Sequence, residues 1–131
     1  MTEDQLNAIS EKIIGAAYTV GNKLGCGFLE KVYENALAYE LRTVGLSVEA
    51  QKPLAVRYED IVVGEYFADL LIQNALLVEL KTVNGFVDNH KAQCLNYLHA
   101  VRLPLCLLIN FGRPRVEVKR IFESQYIGNL L

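Results

Sequence analysis

Tyr66-Phe-Ala-Asp-Leu-Leu-Ile72, a polar break at Gln73-Asn74, and Ala75-Leu-Leu-Val-Glu-Leu-Lys-Thr82 decide how this chain is read. Two apolar runs parted by turn residues predict a β-hairpin. Buried charges are costly without partners, so Asp69, Glu79 and Lys81 inside such runs need a reason. Glu79 and Lys81 are two apart and share one face of their strand. Asp69 joins that face if pairing sets it opposite Glu79 or Lys81; a one-residue slip turns it away. With the register met, two carboxylates and an ammonium converge on a small volume. Hard oxygens suit a divalent cation, and a neighbouring lysine suits a water nucleophile or developing negative charge. From pattern alone, a metal or catalytic site and a structural ion pair stand level, because buried ion-pair networks also occur.

Outward from the hairpin, the sequence changes period. Thr2 with Gln5 three residues on has the form of a capping box, and Leu6, Ile9, Ile13, Ala16, Ala17 and Val20 follow at helical spacing. This predicts a helix over about 3–22. Gly25-Cys-Gly27 ends it, and a second helix is expected over about 29–44, with Leu29, Val32, Ala36, Leu37 and Leu41 inward. Strand-type runs follow at Val48–Gln51, Leu54–Tyr58, Ile61–Val63, Tyr66–Ile72 and Leu76–Val83, divided by Pro53, Glu59-Asp60 and Gly64. A third helix is expected from about Asn89 to Val101, before Pro104. Leu105–Ile109 reads as a buried strand and Arg115–Phe122 as the last one. This order predicts one domain over 1–131, an α/β fold with a mixed central sheet flanked by helices.

The bulk numbers narrow the function. The 131 residues allow one real core, and 52% apolar with 21% charged residues is ordinary for a globular domain. No apolar run is long enough to span a bilayer, and the acidic start lacks the features of a secretory signal, so a cytoplasmic protein without a membrane role is expected. Cys26, Cys94 and Cys106 are at no metal-ligand spacing and are expected as free buried thiols. The net charge of −2 argues against a broad duplex-gripping surface, so nucleic-acid contact should be local or metal-bridged. The basic group Arg113, Arg115, Lys119 and Arg120 reads equally as a solvated strand edge. An exposed sheet edge or the apolar first helix leaves room for a homo-oligomer.

Two helices carry further candidates. At about 100° per residue, His90, Gln93 and Tyr97 fall within an arc of roughly 60°, beside an apolar stripe of Ala92, Leu95, Leu98 and Val101. Gln93 and Tyr97 could bond a phosphate or carboxylates; the plain alternatives are an amphipathic core tyrosine and a helix-start histidine. Glu30 and Glu34 are four apart with Tyr33 beside them, so a cation nearby would relieve their repulsion. The alternative is a solvated acidic helix start. A second Glu-x-Lys, Glu117-Val-Lys119, lacks the upstream Asp and is assigned to a half-exposed strand face. No fingerprint of an organic cofactor is present.

Together these residues resemble the GxxExxY family within the PD-(D/E)XK nuclease superfamily. Gly27-x-x-Glu30-x-x-Tyr33 matches the namesake motif, Ala68-Asp69-Leu-Leu and Val78-Glu79-Leu80-Lys81 match the superfamily core, and His90-x-x-Gln93-x-x-x-Tyr97 and Leu107–Gly112 resemble the family pattern. The similarity spans about 5–122. It implies a restriction-endonuclease-like fold, with Asp69 and Glu79, joined by Glu30, as ligands of Mg²⁺ or Mn²⁺. It also implies that Lys81 positions the nucleophile, with Gln93 and Tyr97 steadying the site and Tyr33, Glu34 and His90 in support. Ala68 stands where the superfamily motif has proline. The leading expectation is a Mg²⁺-dependent nuclease acting on DNA or, second, RNA. The rival is a noncatalytic interaction or oligomerisation module that keeps the fold, its three charges forming an ion-pair network.

Overall fold

The computed structural model describes residues 1–128; positions 129–131 of the expected domain lie outside the described residues. Two helices, α1 (Glu3–Leu24) and α2 (Glu30–Thr43), precede strands β1 (Val48–Tyr58), β2 (Ile61–Ile72) and β3 (Leu76–Lys81). Helix α3 (Asp88–Val101), strands β4 (Leu105–Asn110) and β5 (Glu117–Phe122) and a 3₁₀ turn at Ser124–Tyr126 follow. The strands form one sheet in the order β1-β2-β3-β4-β5, antiparallel throughout except for the parallel β3–β4 pair. The α3 crossover supplies that parallel step. No helix among the described residues is long and apolar enough to cross a membrane.

Both faces of the sheet are covered. Leu70, Ile72, Val78, Leu80 and Leu107 pack against α1 and α2 through Ile13, Ala17, Leu37 and Leu41. Leu71, Leu77, Cys106 and Leu108 pack against Cys94, Tyr97 and Leu98 of α3. Strands β3 and β4 are therefore buried on both sides, as near-continuous apolar runs require. The capping box forms: Thr2 N–H donates to Gln5 Oε1 at 2.8 Å, and Gln5 N–H donates to Thr2 Oγ1 at 3.2 Å.

The hairpin turns where expected, because Gln73 and Asn74 adopt φ of 56° and 51°, the paired left-handed conformation of a tight primed turn. Elsewhere the sequence divided too finely. The four short runs between Val48 and Ile72 are two long strands. Pro53 does not interrupt β1, an edge strand where a missing donor is tolerated. Gly64 stays within β2 opposite Val56, beside a bulge between Val56 and Arg57.

The inward face of α2 is also rotated from the expected one. Leu29 is 80% exposed and Val32 38%, while Tyr33, Glu34, Leu37, Ala38 and Leu41 are buried. Tyr33 causes this rotation: its ring stacks on Phe111 at 4.8 Å, and its hydroxyl donates to Gly25 O at 2.6 Å. On α3, Ala92 is exposed, and Cys94 and Tyr97 share the buried face with Leu98. All three cysteines are free, with Cys94 and Cys106 buried, but Cys26 is exposed on the glycine loop.

Candidate active site

The ladder between β2 and β3 pairs Ile72 with Leu76, Leu71 with Leu77 and Leu70 with Val78. One step further, Asp69 falls opposite Glu79, and side chains replace the backbone rungs. Asp69 N–H donates to Glu79 Oε1 at 2.9 Å, and Leu80 N–H donates to Asp69 Oδ2 at 2.7 Å. Each carboxylate thus satisfies one backbone donor where the strands part and keeps its other oxygen for further partners. Glu79 is buried and Asp69 half-buried.

Lys81 follows on the same strand and meets α3. Its ammonium donates to Gln93 Oε1 at 3.1 Å, and Gln93 Nε2 donates to the Tyr97 hydroxyl at 3.1 Å. Gln93 and Tyr97 therefore form a polar row ending on the lysine. His90, on the same predicted stripe, stands apart from this row: its Nδ1 accepts from Val87 N–H at 3.1 Å, and its ring meets Phe86 edge-on. That is its helix-start alternative. The end of β3 is held by the buried Asn110, whose Oδ1 accepts from Val83 N–H at 3.0 Å and whose Nδ2 donates to Val83 O at 2.9 Å.

Helix α2 brings two more acids. Glu34, expected on a solvated or cation-facing helix start, is buried; its Oε1 accepts from Gln51 Nε2 at 2.6 Å, and Lys31 pairs with its other oxygen. The same Gln51 amide lies 3.4 Å from Asp69 Oδ1, linking α2 to the hairpin. Gln51 holds φ at 53°, an uncommon conformation for a residue with a side chain and one that collects at functional sites. Sequence reading missed Gln51. Its only signal was its place opposite Asp69, which is legible once β1 is known to continue through Pro53. Glu30 is half-buried and feels the charges of Asp69, Lys81 and Glu34. Tyr33 instead secures the loop before α2, its hydroxyl also accepting from Phe28 N–H at 3.2 Å.

Glu79, Asp69, Glu30 and Tyr97 are each shifted from their ordinary values. Burial, then the Asp69 charge, pushes the Glu79 carboxyl up to about 9. Burial also raises Asp69, reinforced by Glu34 and opposed chiefly by the Leu80 N–H bond. Glu30 is raised by burial and by Asp69, with Lys81 opposing. Tyr97 is pushed up to about 12, first by burial and then by the charges of Glu79 and Asp69. A cleft in which carboxylates outnumber cations and Glu79, Asp69 and Glu30 resist ionisation is one that a cation would relieve.

The ion-pair alternative is not what forms. Among the described residues, Lys81 lies within ion-pair distance of no carboxylate; its hydrogen bond goes to Gln93. No group of three or more His, Cys, Asp or Glu side chains among the described residues is gathered to hold a metal ion. The donor set at the hairpin is two carboxylates, and this fits a small hard cation such as Mg²⁺. Such an ion is commonly bound through one or two carboxylates and keeps waters or substrate phosphates for the rest.

A sequence model of the PD-(D/E)XK nuclease superfamily matches residues 7–121. The chain belongs to this superfamily. Among the described residues, its mixed five-stranded sheet with three α-helices is consistent with the restriction-endonuclease-like PD-(D/E)XK fold, and PD-(D/E)XK nucleases generally use divalent metal ions. No curated protein and no solved structure matches the chain.

Proposed function

We propose that this PD-(D/E)XK protein is a nuclease that hydrolyses phosphodiester bonds of DNA, in preference to RNA, with Mg²⁺ or Mn²⁺ as its cation. The observation that carries this reading is the arrangement of Lys81. On the strand that bears Glu79, its ammonium donates to the neutral Gln93 of α3 and, among the described residues, lies within ion-pair distance of no carboxylate. A purely structural network would have paired them.

In this reading Asp69 and Glu79 would hold the cation, with Glu30 as the third candidate ligand. A divalent cation supplies charge neutralisation at the phosphate when bound. Lys81 directs its N–H donors at the attacking water and at the charge building on the phosphate. Gln93 fixes the direction of the ammonium, and Tyr97 fixes Gln93. Glu34 and Gln51 hold the helix-borne acids against the hairpin. In-line attack forms the bond from the water oxygen to phosphorus and breaks the P–O3′ bond, and the leaving oxygen takes up a proton to become a 3′-hydroxyl opposite a 5′-phosphate. The finer GxxExxY assignment belongs to the same proposal. It is supported by Glu30 reaching the acidic cluster while Tyr33 pins Gly25 and Phe28, either side of Gly27.

Incubation with labelled single- and double-stranded DNA and RNA in Mg²⁺ or Mn²⁺ tests this. Cleavage is expected for DNA, and it should disappear in Asp69→Asn, Glu79→Gln and Lys81→Ala while their circular dichroism is unchanged. Failure to cut any of these substrates with either metal would refute it.

A further inference from the structure

Strand β2 runs on well past its neighbour. It pairs with β3 only over Leu70–Ile72, so from Ile61 to Ala68 it has β1 on one side and, among the described residues, no strand on the other. The two outer edges of the sheet are defended. Along β1 stand Lys52, Pro53 and Arg57, and along β5 Glu117, Lys119 and Arg120, the charges and proline that keep an edge from pairing. The open stretch of β2 has no proline, and Glu65 is its one charged side chain. It is also apolar. Tyr58, Ile61, Val62, Val63, Tyr66 and Phe67 are 48–70% exposed and belong to neither core. Single exposed apolar side chains are ordinary, but six on one ribbon form a patch of the kind that marks an interface.

We infer that this edge is covered by a second copy of the chain, the two β2 strands pairing antiparallel about Gly64. The segment Ile61-Val-Val-Gly-Glu-Tyr-Phe67 is complementary to its own reverse. With Gly64 on a two-fold axis, Ile61 falls opposite the partner's Phe67, and Val62 opposite the partner's Tyr66. Each contact joins a β-branched side chain to an aromatic one, a favourable cross-strand pair. Glu65 falls opposite the partner's Val63, so no like charges stand directly opposed. A two-fold contact of this kind closes on itself and stops at two copies. The available area suffices. Weighted by exposure, the six side chains offer on the order of 500 Å² per copy, against about 800 Å² taken from each partner in a standard interface. The paired main chains supply the difference, and their unpaired donors and acceptors satisfy one another. The pairing ends at Phe67, two residues short of Asp69. The two copies of Asp69, five residues either side of the axis, then stand about 33 Å apart, so each copy keeps its own site. The inference rests on neither the cation nor the nuclease reading.

Sedimentation equilibrium of the full chain in EDTA over about 1–100 μM tests this, because association follows mass action. The expected mass is twice the 14.7 kDa of one chain. Val62→Lys puts a charge into the pairing and should weaken association about tenfold or more, whereas Tyr39→Lys, at an exposed position of α2, should not. Thermal melts confirm that both exposed substitutions leave the fold intact. The contact itself is read with Gly64→Cys in a Cys26→Ser background. A Cβ at Gly64 meets nothing nearer than the Tyr66 ring at 3.9 Å. Directly opposed residues of antiparallel strands stand about 4.5–5.5 Å apart at Cα, within disulfide reach. Copper(II)–phenanthroline takes the two electrons and solvent the two protons, and a covalent dimer should form that a reductant reverses. Tyr39→Cys in the same background should give none, and the other thiols, Cys94 and Cys106, are buried. A chain of 14.7 kDa at every concentration overturns the inference and leaves the edge to a strand of some other protein. A dimer indifferent to Val62→Lys, or no cross-link through position 64, overturns it equally. Cleavage is assayed apart: a dimer that cuts no nucleic acid upholds the pairing and removes only the hydrolytic reading.

Discussion

Replacing Glu79 by glutamine should stabilise the metal-free protein as it removes activity. Folding raises this carboxyl from its ordinary 4.5 to about 9. Across that window the folded state binds the proton more tightly than the unfolded chain. The group's contribution is therefore intact below pH 4.5 and is lost progressively as pH rises toward 9. Each pH unit inside the window costs about 1.4 kcal/mol, so warming experiments at about pH 5.5 and about pH 7.5 should differ by about 2–3 kcal/mol from this group alone. For a chain of this size that is roughly 10 °C in Tm. Glutamine keeps the oxygen that accepts the Asp69 N–H bond and has no proton to lose. In EDTA, Glu79→Gln should therefore melt at a temperature that falls less with pH, and should exceed wild type by several degrees at about pH 7.5. The slope does not vanish, because Asp69 and Glu30 are raised in the same sense. Added Mn²⁺ should raise the wild-type melting point and leave the variant's unchanged. Parallel pH curves, or a variant less stable than wild type at about pH 7.5, would refute the reasoning.

Lys81→Ala should lower cleavage by about 10²-fold or more, the usual cost of losing a donor aimed at developing charge, with a far-ultraviolet spectrum like wild type. His90→Ala should leave cleavage unchanged and cost about 1 kcal/mol, the value of its bond to Val87 N–H, measured by urea unfolding. Tyr33→Phe should cost about 1–3 kcal/mol in the same assay, because the phenol serves both Gly25 O and Phe28 N–H from a buried position.

The hairpin was legible because its signals are local. Gln73-Asn74 tolerates left-handed backbone, and alternation then carries Asp69 to a position opposite Glu79 without help from the rest of the fold. Gln93 and Tyr97 were legible through helical spacing, and the same spacing swept in His90, which lies one turn too early to reach Lys81. What stayed hidden depends on which neighbour an element finds. Pro53 breaks a central strand but not an edge strand, and the sequence does not say that β1 is an edge. Leu29 and Val32 are as apolar as Leu37, yet the stack of Tyr33 on Phe111 turns them outward and Glu34 inward. Phe111 is 78 residues from Tyr33, a pairing no local pattern announces. The place of Gln51 follows from the same β1–β2 pairing that Pro53 and Gly64 obscured.

The side chains of Asp69 and Glu79 are fastened to main-chain amides, whereas the Lys81 ammonium is hydrogen-bonded to the side chain of Gln93. On the hydrolytic reading, a descendant that gave up catalysis would still need an acceptor oxygen at positions 69 and 79 to close its hairpin, and would be free to exchange its lysine. Drift in silent copies should therefore begin at position 81. Among relatives, that position would separate working enzymes from retired ones, while positions 69 and 79 would keep an acceptor-bearing side chain in both.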